Sequence, residues 1–271
     1  MICFSRISAG VFLASCLSLN TAQAACGLDK CPIDNTTTND ADVVGLGSLR
    51  ITKAPDTNAF YSEAFAGLHL SVTQRLSAGA VVPVVSTWHD DANQIGLGNV
   101  VAYMEYAETL KTKDIVVSAG LQIETPTAMH GLGDAHFLLL PYAQGWKQFS
   151  HWNGRVQAGW SRTLTGDHAH DHDTHHGLTI NPHSYSEFLF RSESFASKIG
   201  QATTWQPGLG FELIQDLEHT DSTVVNAGLM LEHVRQALTV RLQVDFPFTD
   251  ERRYDQRVTL RASFPKHPTE K

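Results

Sequence analysis

Between residues 166 and 183 the chain reads GDHAHDHDTHHGLTINPH, which sets His168, His170, His172, His175, His176 and His183 among Asp167, Asp171 and Asp173. Imidazole and carboxylate donors suit Zn, Cu, Ni or Co at neutral pH. In an extended chain His168, His170 and His172 share one side, and a loop can wrap three or four such donors around one ion. A structural metal site instead holds fixed ligands on rigid elements. The expectation is therefore a labile site that exchanges divalent metal and takes more than one ion, with no resident cofactor required. The plainer alternative is a solvated hydrophilic loop tip. His89, with Asp90 and Asp91, and also His130 and His219 fall in segments read as loops at the same end; His69, His136 and His233 fall in strand-like segments, with His69 and His136 facing inward.

Other chemistry is thinly represented. The chain carries no Gly-x-Ser-x-Gly, phosphate-binding loop, HExxH or dinucleotide fingerprint. Ser184 and Ser186 follow His183 closely, so a hydrolase built on a barrel is one alternative, but a serine beside a histidine is common by chance. The reading is of a protein that is not an enzyme. A net charge of -8 argues against a nucleic-acid partner.

The loop needs a frame, and the frame begins with an export signal. Residues 7–19 form a short apolar stretch after one positive charge, followed by the small-x-small site Ala22-Gln23-Ala24. This is the pattern of a secretory signal peptide over residues 1–24. Leu13-Ala14-Ser15-Cys16 also fits a lipobox, which would leave a lipidated Cys16. Cleavage after Ala24 removes Cys3 and Cys16 and leaves Cys26 and Cys31 in an N-terminal segment, residues 25–44.

From there the chain alternates. Residues 115–125 set Ile115, Val117, Ala119, Leu121 and Ile123 against Val116, Ser118, Gly120, Gln122 and Glu124. Residues 236–248, 257–264 and 152–164 repeat the period of two, which marks strands with unlike faces. Weaker versions cover residues 60–72, 77–86, 97–107, 132–142, 203–216 and 224–234, with 45–53 and 184–193 as further candidates. The fold expected is all-β, a single antiparallel transmembrane β-barrel of about 12 strands over residues 45–264, with a tail at 265–271. Past the leader no apolar run reaches the ~18 residues of a membrane helix.

Alternation does not say which face is inside. A soluble periplasmic or secreted metal-binding β-protein without a pore would bury the apolar face; an outer-membrane barrel turns it to lipid. Strands of ten or more alternating residues, charges of both signs on the polar face, and Trp152 and Trp160 at opposite ends of one apolar face favour the barrel. Val117, Leu121, Val156, Leu242, Val244, Leu260 and Ala262 are then lipid-facing. With the N-terminus periplasmic, the longest connection, 165–183, falls outside the cell and short hairpins fall inside, as expected of bacterial barrels.

Residues 95–106 (IGLGNVVAYMEY), 121–127 (LQIETPT) and 131–142 (GLGDAHFLLLPY) occur in that order. They resemble the outer-membrane family named for the MetA pathway of phenol degradation, also called transporter-like, over roughly residues 60–264. Asn99 stands where that family usually has Asp, and Ala128 where it has Gly. The resemblance implies a barrel of about 12 strands and passage of a small solute across the outer membrane. It identifies no substrate. Membrane lipid, a small-molecule solute and divalent metal ions are the partners expected.

Cys26 and Cys31 survive cleavage at Ala24 and reach an oxidising compartment. They are expected to form a disulfide with little effect on barrel stability, because the loop is short. Intact-mass measurement after thiol alkylation under non-reducing conditions checks this: no added label is expected, and two labelled thiols would contradict the bond.

Overall fold

A computed structural model describes residues 43–55, 58–88, 93–110, 115–129, 132–133, 136–164, 184–196, 204–219, 222–235 and 238–265. Residues 1–42, which include the segment read as a leader and Cys26 and Cys31, the segment 165–183, His89, His130 and residues 266–271 lie outside the described residues. Every described element is a strand: β1 (Val43–Lys53), β2 (Phe60–Ser71), β3 (Leu76–Trp88), β4 (Gln94–Leu97), β5 (Val101–Leu110), β6 (Ile115–Glu124), β7 (Leu138–Gln148), β8 (Trp152–Thr163), β9 (Ser186–Ala196), β10 (Thr204–Asp216), β11 (Thr223–Arg235), β12 (Leu238–Pro247) and β13 (Gln256–Pro265). Each wall strand pairs antiparallel with its chain neighbour, and β1 pairs with both β2 and β13, which closes the ring. The wall has twelve strands; β4 pairs only with the end of β3, from Val84 opposite Leu97 to Thr87 opposite Gln94. Closure leaves the twelve-strand wall without an open edge, the condition for a sheet in hydrocarbon.

Wall strands of 10 to 13 residues, at ~3.3 Å rise and a ~40° tilt, span roughly 25–33 Å. That matches a bilayer core. The faces settle the orientation. Leu49, Leu242 and Leu260 are 43%, 42% and 44% exposed, whereas Arg50, Arg241 and Thr259, each one residue away, are 4%, 1% and 1% exposed. Apolar side chains point out and charges point in, so a soluble protein with this face in a core is overturned. All seven residues expected to face lipid occupy outward positions: Val156, Leu242 and Leu260 are exposed, and Val117, Leu121, Val244 and Ala262 are half-buried. Phe60, Trp88, Trp160 and Phe188 form an outward aromatic girdle at the rim away from the termini; Tyr106, Trp152, Trp205 and Phe264 form one at the other. Aromatic rings favour these interfaces because one edge is apolar and the other wet.

Prolines mark the places where the ladder yields. Pro83 lies where β3 changes partner from β5, last paired at Val81 opposite Val101, to β4, first paired at Val84. Pro141 sits opposite Leu121 on β6, while the ladder to β8 skips Leu140 and Pro141. A residue without N–H is tolerated at such gaps.

Two sequence boundaries move. Residues 132–142 were expected as a strand and 143–150 as a turn; the strand is instead Leu138–Gln148, and Leu132 packs at the rim with Ala54, Ala59, Tyr61 and Val85. Leu132 and Gly133, at the opening of that segment, lie in a bend and not in a strand. His136 therefore precedes β7 and is not a lumen residue on a strand. Likewise 97–107 is divided, with the strand beginning at Val101.

Leu242→Arg should cost about 2–4 kcal/mol, and Phe264→Arg, near the membrane edge, about 0–1. Denaturant unfolding in lipid vesicles, followed by tryptophan fluorescence, measures both; equal costs would contradict the placement of the bilayer.

Candidate functional site: the barrel interior and its mouth

The interior is built on a repeated device in which an aromatic ring crosses a glycine on the next strand. Tyr103 lies opposite Gly79 and covers it, Tyr142 covers Gly120, and Phe195 covers Gly208; a Cβ at any of these glycines would run into the ring. The missing side chain lets the ring lie against the wall and reach the strand beyond. Tyr103 thus meets His69 Nδ1 on β2 at 2.9 Å, and the Tyr142 hydroxyl donates to Glu105 on β5 at 2.8 Å. Phe195 crosses to Arg241 on β12, whose guanidinium stands 4.2 Å from the ring centroid.

Glu193 is the hub of the charged side. Its carboxylate receives Arg155 at 2.6 Å, Arg191 at 2.8 Å and Arg241 at 3.0 Å, and all four side chains are buried. Arg241 also binds Glu232 at 2.6 Å. Arg191 donates to Gln243, Gln243 to Asp245, and Arg257 bridges Asp245 and Glu212 at 3.2 and 3.4 Å. Buried charges persist only when paired and hydrogen-bonded, and the chain of contacts supplies this. Arg241 and Arg261 face one another in the register; like charges so placed repel, and Glu193 and Glu232 offset that repulsion at Arg241.

The inward cations are confined to part of the ring. Inward arginines come from β1 (Arg50), β8 (Arg155), β9 (Arg191), β12 (Arg241) and β13 (Arg257, Arg261). Among the described residues, the inward positions of β2, β3, β5, β6 and β7 carry no Lys or Arg. They carry Glu63, Glu105, Glu124, Gln122, Tyr103 and Tyr142 instead. Inward cations are thus confined to one side, where Glu187, Glu193, Glu212, Asp216, Glu232 and Asp245 balance them, and the other side carries carboxylates and hydroxyls.

At the rim away from the termini, Asp216 gathers a second cluster. It accepts from Ser184 Oγ at 2.7 Å, from the backbone N–H of Glu218 and His219 at 2.8 and 3.0 Å, and meets His219 Nδ1 at 3.2 Å. Arg253 pairs with Glu187 beside it. A cavity of about 350 Å³ opens here, lined by Asp216, Ser222, Glu251 and Arg253 among others. Across the rim, the Lys53 ammonium binds Asp255 at 2.5 Å and, with Arg252, holds that carboxyl below the usual carboxylate range.

The nine residues read from sequence as metal donors, His168, His170, His172, His175, His176, His183, Asp167, Asp171 and Asp173, lie outside the described residues, but the feet of their loop do not. Thr163 N–H donates to the Tyr185 carbonyl at 2.9 Å and Leu217 N–H to that of Ser186 at 3.0 Å, so the loop springs from a pinned base at this mouth. His219 stands at that base. No group of three or more His, Cys, Asp or Glu fit for a metal occurs among the described residues. His69 faces inward as expected, and His233 lies against Trp205 with ring centroids 4.6 Å apart. Ser184 and Ser186 do not form a nucleophile–histidine pair with a described residue: Ser184 and His219 both address Asp216, and Ser186 Oγ accepts from Trp160 Nε1 at 2.8 Å. The family-like motifs are also placed. Asn99 donates to Glu124 at 3.1 Å and accepts from Ala128 N–H at 3.0 Å, while Thr127 Oγ1 accepts from Val100 N–H at 2.8 Å. They knit the rim together.

These features define a transmembrane β-barrel of the outer-membrane type. Solved structures with the same fold include an outer membrane channel from Pseudomonas putida F1, with 12% identity and a TM-score of 0.59, covering 89% of this chain and 99% of that one. The KdgM porin, alone and in complex with disordered oligogalacturonate, shares 7% identity over 83% of this chain and 99% of its own, with TM-scores of 0.51 and 0.52. At these identities the likeness is one of fold. The chain matches no family model and no curated protein.

Glu193→Gln removes the charge that three buried arginines share and should cost about 3–5 kcal/mol. Combined with Arg155→Gln, the loss should be smaller than the sum of the two single losses. Denaturant unfolding in detergent reads the cycle; strict additivity would contradict the hub.

Proposed function

We propose that this barrel sits in the outer membrane as a channel or transporter-like protein for a small polar solute, with the His-rich loop collecting divalent metal at its mouth. The observation that carries the first part is the charged inner wall, with its arginines confined to one side. The inward arginines of β1, β8, β9, β12 and β13 are balanced by Glu187, Glu193, Glu212, Asp216, Glu232 and Asp245, whereas the inward faces of β2, β5 and β6 bear Glu63, Glu105 and Glu124 and no cation. A charge-balanced side beside an acidic one orients a dipolar or cationic solute crossing the lumen, since fields are strong where water is scarce. Two of the proteins sharing the fold are described as a channel and a porin, which supports the reading. By the rule that short turns face the periplasm, the end with turns 72–75, 111–114, 149–151 and 236–237 is periplasmic and the His-rich loop is extracellular.

The metal part follows from the donor chemistry of residues 167–183 and from the pinned base of the loop at the rim. The loop concentrates ions and exchanges them; it is not a resident centre.

Two measurements test these parts separately. In planar bilayers, Arg261→Gln should shift ion selectivity toward cations and Glu105→Gln toward anions; unchanged reversal potentials in both would rule out passage along these walls. Replacing His168, His170, His172, His175 and His176 together by Ala should abolish most zinc binding in titration calorimetry and leave the barrel folded. In the native protein, binding should weaken as pH falls through ~6.5, because protonated imidazole cannot ligate. The same heat from both proteins would leave the loop as a solvated tip.

A further inference from the structure

We infer that the outer wall over β6–β12 seats one phospholipid from the leaflet at the Lys147 end, its phosphate on Lys147 and an acyl chain in the hollow above. The hollow measures about 900 Å³ and lies on the lipid-facing side. It exists because four outward positions are small. Gly145 and Gly154 have no side chain, and Ser192 and Ser194 end at a hydroxyl. Their chain neighbours Arg155, Arg191 and Glu193 point into the barrel, so the stretch of wall that carries the charge hub inside is depressed outside. Trp152 and Val156 flank one side, Leu209 and Leu229 the other; they are 43%, 51%, 63% and 60% exposed.

Lys147 gives the hollow a head. It occupies an outward position near the end of β7, opposite Gly154 in the register. Its ammonium stands 5.0 Å from the Phe149 ring centroid, and that ring stacks on Trp152 at 3.9 Å. Among the described residues it has no carboxylate partner, whereas Arg75 at the same rim is held by Glu108 at 2.9 Å. A cation at the membrane edge attracts anionic headgroups, and the aromatic pair beside it suits the interface between head and tail.

Apolar attraction alone would select nothing here, because lipid tails are as apolar as leucine. Shape and charge together do. A tail that bridged the hollow without entering would forfeit dispersion contacts along its length. A volume in the ~300–1,000 Å³ range of ligand pockets suits a chain molecule, whereas a second barrel would need an apposed face of ~800 Å² per partner. The serines contribute smallness rather than polarity.

The test is native mass spectrometry of the full detergent-solubilised chain titrated with phosphatidylglycerol, with heat-modifiable gel migration confirming that each variant is folded. The wild type should retain one lipid per barrel. Lys147→Glu should weaken retention by about tenfold, and so should Ser194→Leu, which fills the floor with a side chain lipid tolerates. Val82→Leu, outward on β3, should change nothing. Equal retention in all four proteins would overturn the site. Loss with Lys147→Glu but not with Ser194→Leu would mean headgroup capture without the hollow, and overturn it too. A wild-type dimer abolished by Ser194→Leu, with no lipid bound, would assign the hollow to a second copy instead.

Discussion

Closure of the ladder between β1 and β13 fixes how far the wall stands from itself, and the interior chemistry follows from that distance. Twelve strands enclose a lumen across which long side chains meet. Arg241 on β12 reaches Glu193 on β9, and Arg257 on β13 reaches Glu212 on β10, in each case over two intervening strands. In a wider ring these groups would be solvated separately. Here they are withdrawn from water and must satisfy each other, because an unpaired buried charge costs several kcal/mol. The glycines at 79, 120, 208 and 228 serve the same constraint. Beside Gly228 the Asp245 carboxylate occupies the space a side chain would need. Small residues on one strand are the room in which the neighbour's long residues lie.

The same wall has two readings, one from each side. Outside, it must be apolar between its girdles; inside, it must pair charge. Alternation joins the two, so a residue chosen for one face sets the spacing of the other. On β9 the run Arg191-Ser192-Glu193-Ser194 gives two charges to the hub and two small outward residues to the hollow. Structural support inside and a lipid seat outside are therefore two products of one strand pattern, not independent devices.

Much of this was legible in the residues. The period of two along 115–125, 152–164, 236–248 and 257–264 identified the strands, and the two tryptophans of β8 indicated which face met the membrane. The polar positions Arg155, Glu212, Glu232, Arg241, Asp245 and Arg261 were visible as one face. The hub at its centre was not. On β9, Phe188, Leu189 and Phe190 run consecutively, and Leu189 packs inside with Leu140, Ile214 and Val224. That apolar inward layer blurs the alternation that would have marked Glu187, Arg191 and Glu193. The shift of β7 has a similar cause. The Gly-Leu-Gly opening at 131–133 reads as the start of a strand, yet Leu132 is consumed by the rim cluster and the ladder begins six residues later. Nor could spacing reveal that Ser184 and His219 converge on Asp216, because that contact joins two loops by way of the barrel rim.

The rim connects these levels. Asn99, Thr127 and Ala128 bind the loops after β4 and β6 to each other, Lys53 binds Asp255 across β1 and the loop before β13, and Asp216 ties the foot of the His-rich loop to the turn after β10. Each tie holds a connection whose backbone has left the ladder and has no strand partner of its own. A long loop contributes little to such a frame, but its feet depend on the frame for their position. The Thr163–Tyr185 and Leu217–Ser186 hydrogen bonds hold those feet, so the segment 165–183 starts and ends at fixed points on the rim. The mouth beside those feet carries Asp216, Glu187 and Glu251 together with Arg252 and Arg253, so carboxylate and guanidinium offset one another there as they do deeper in the barrel.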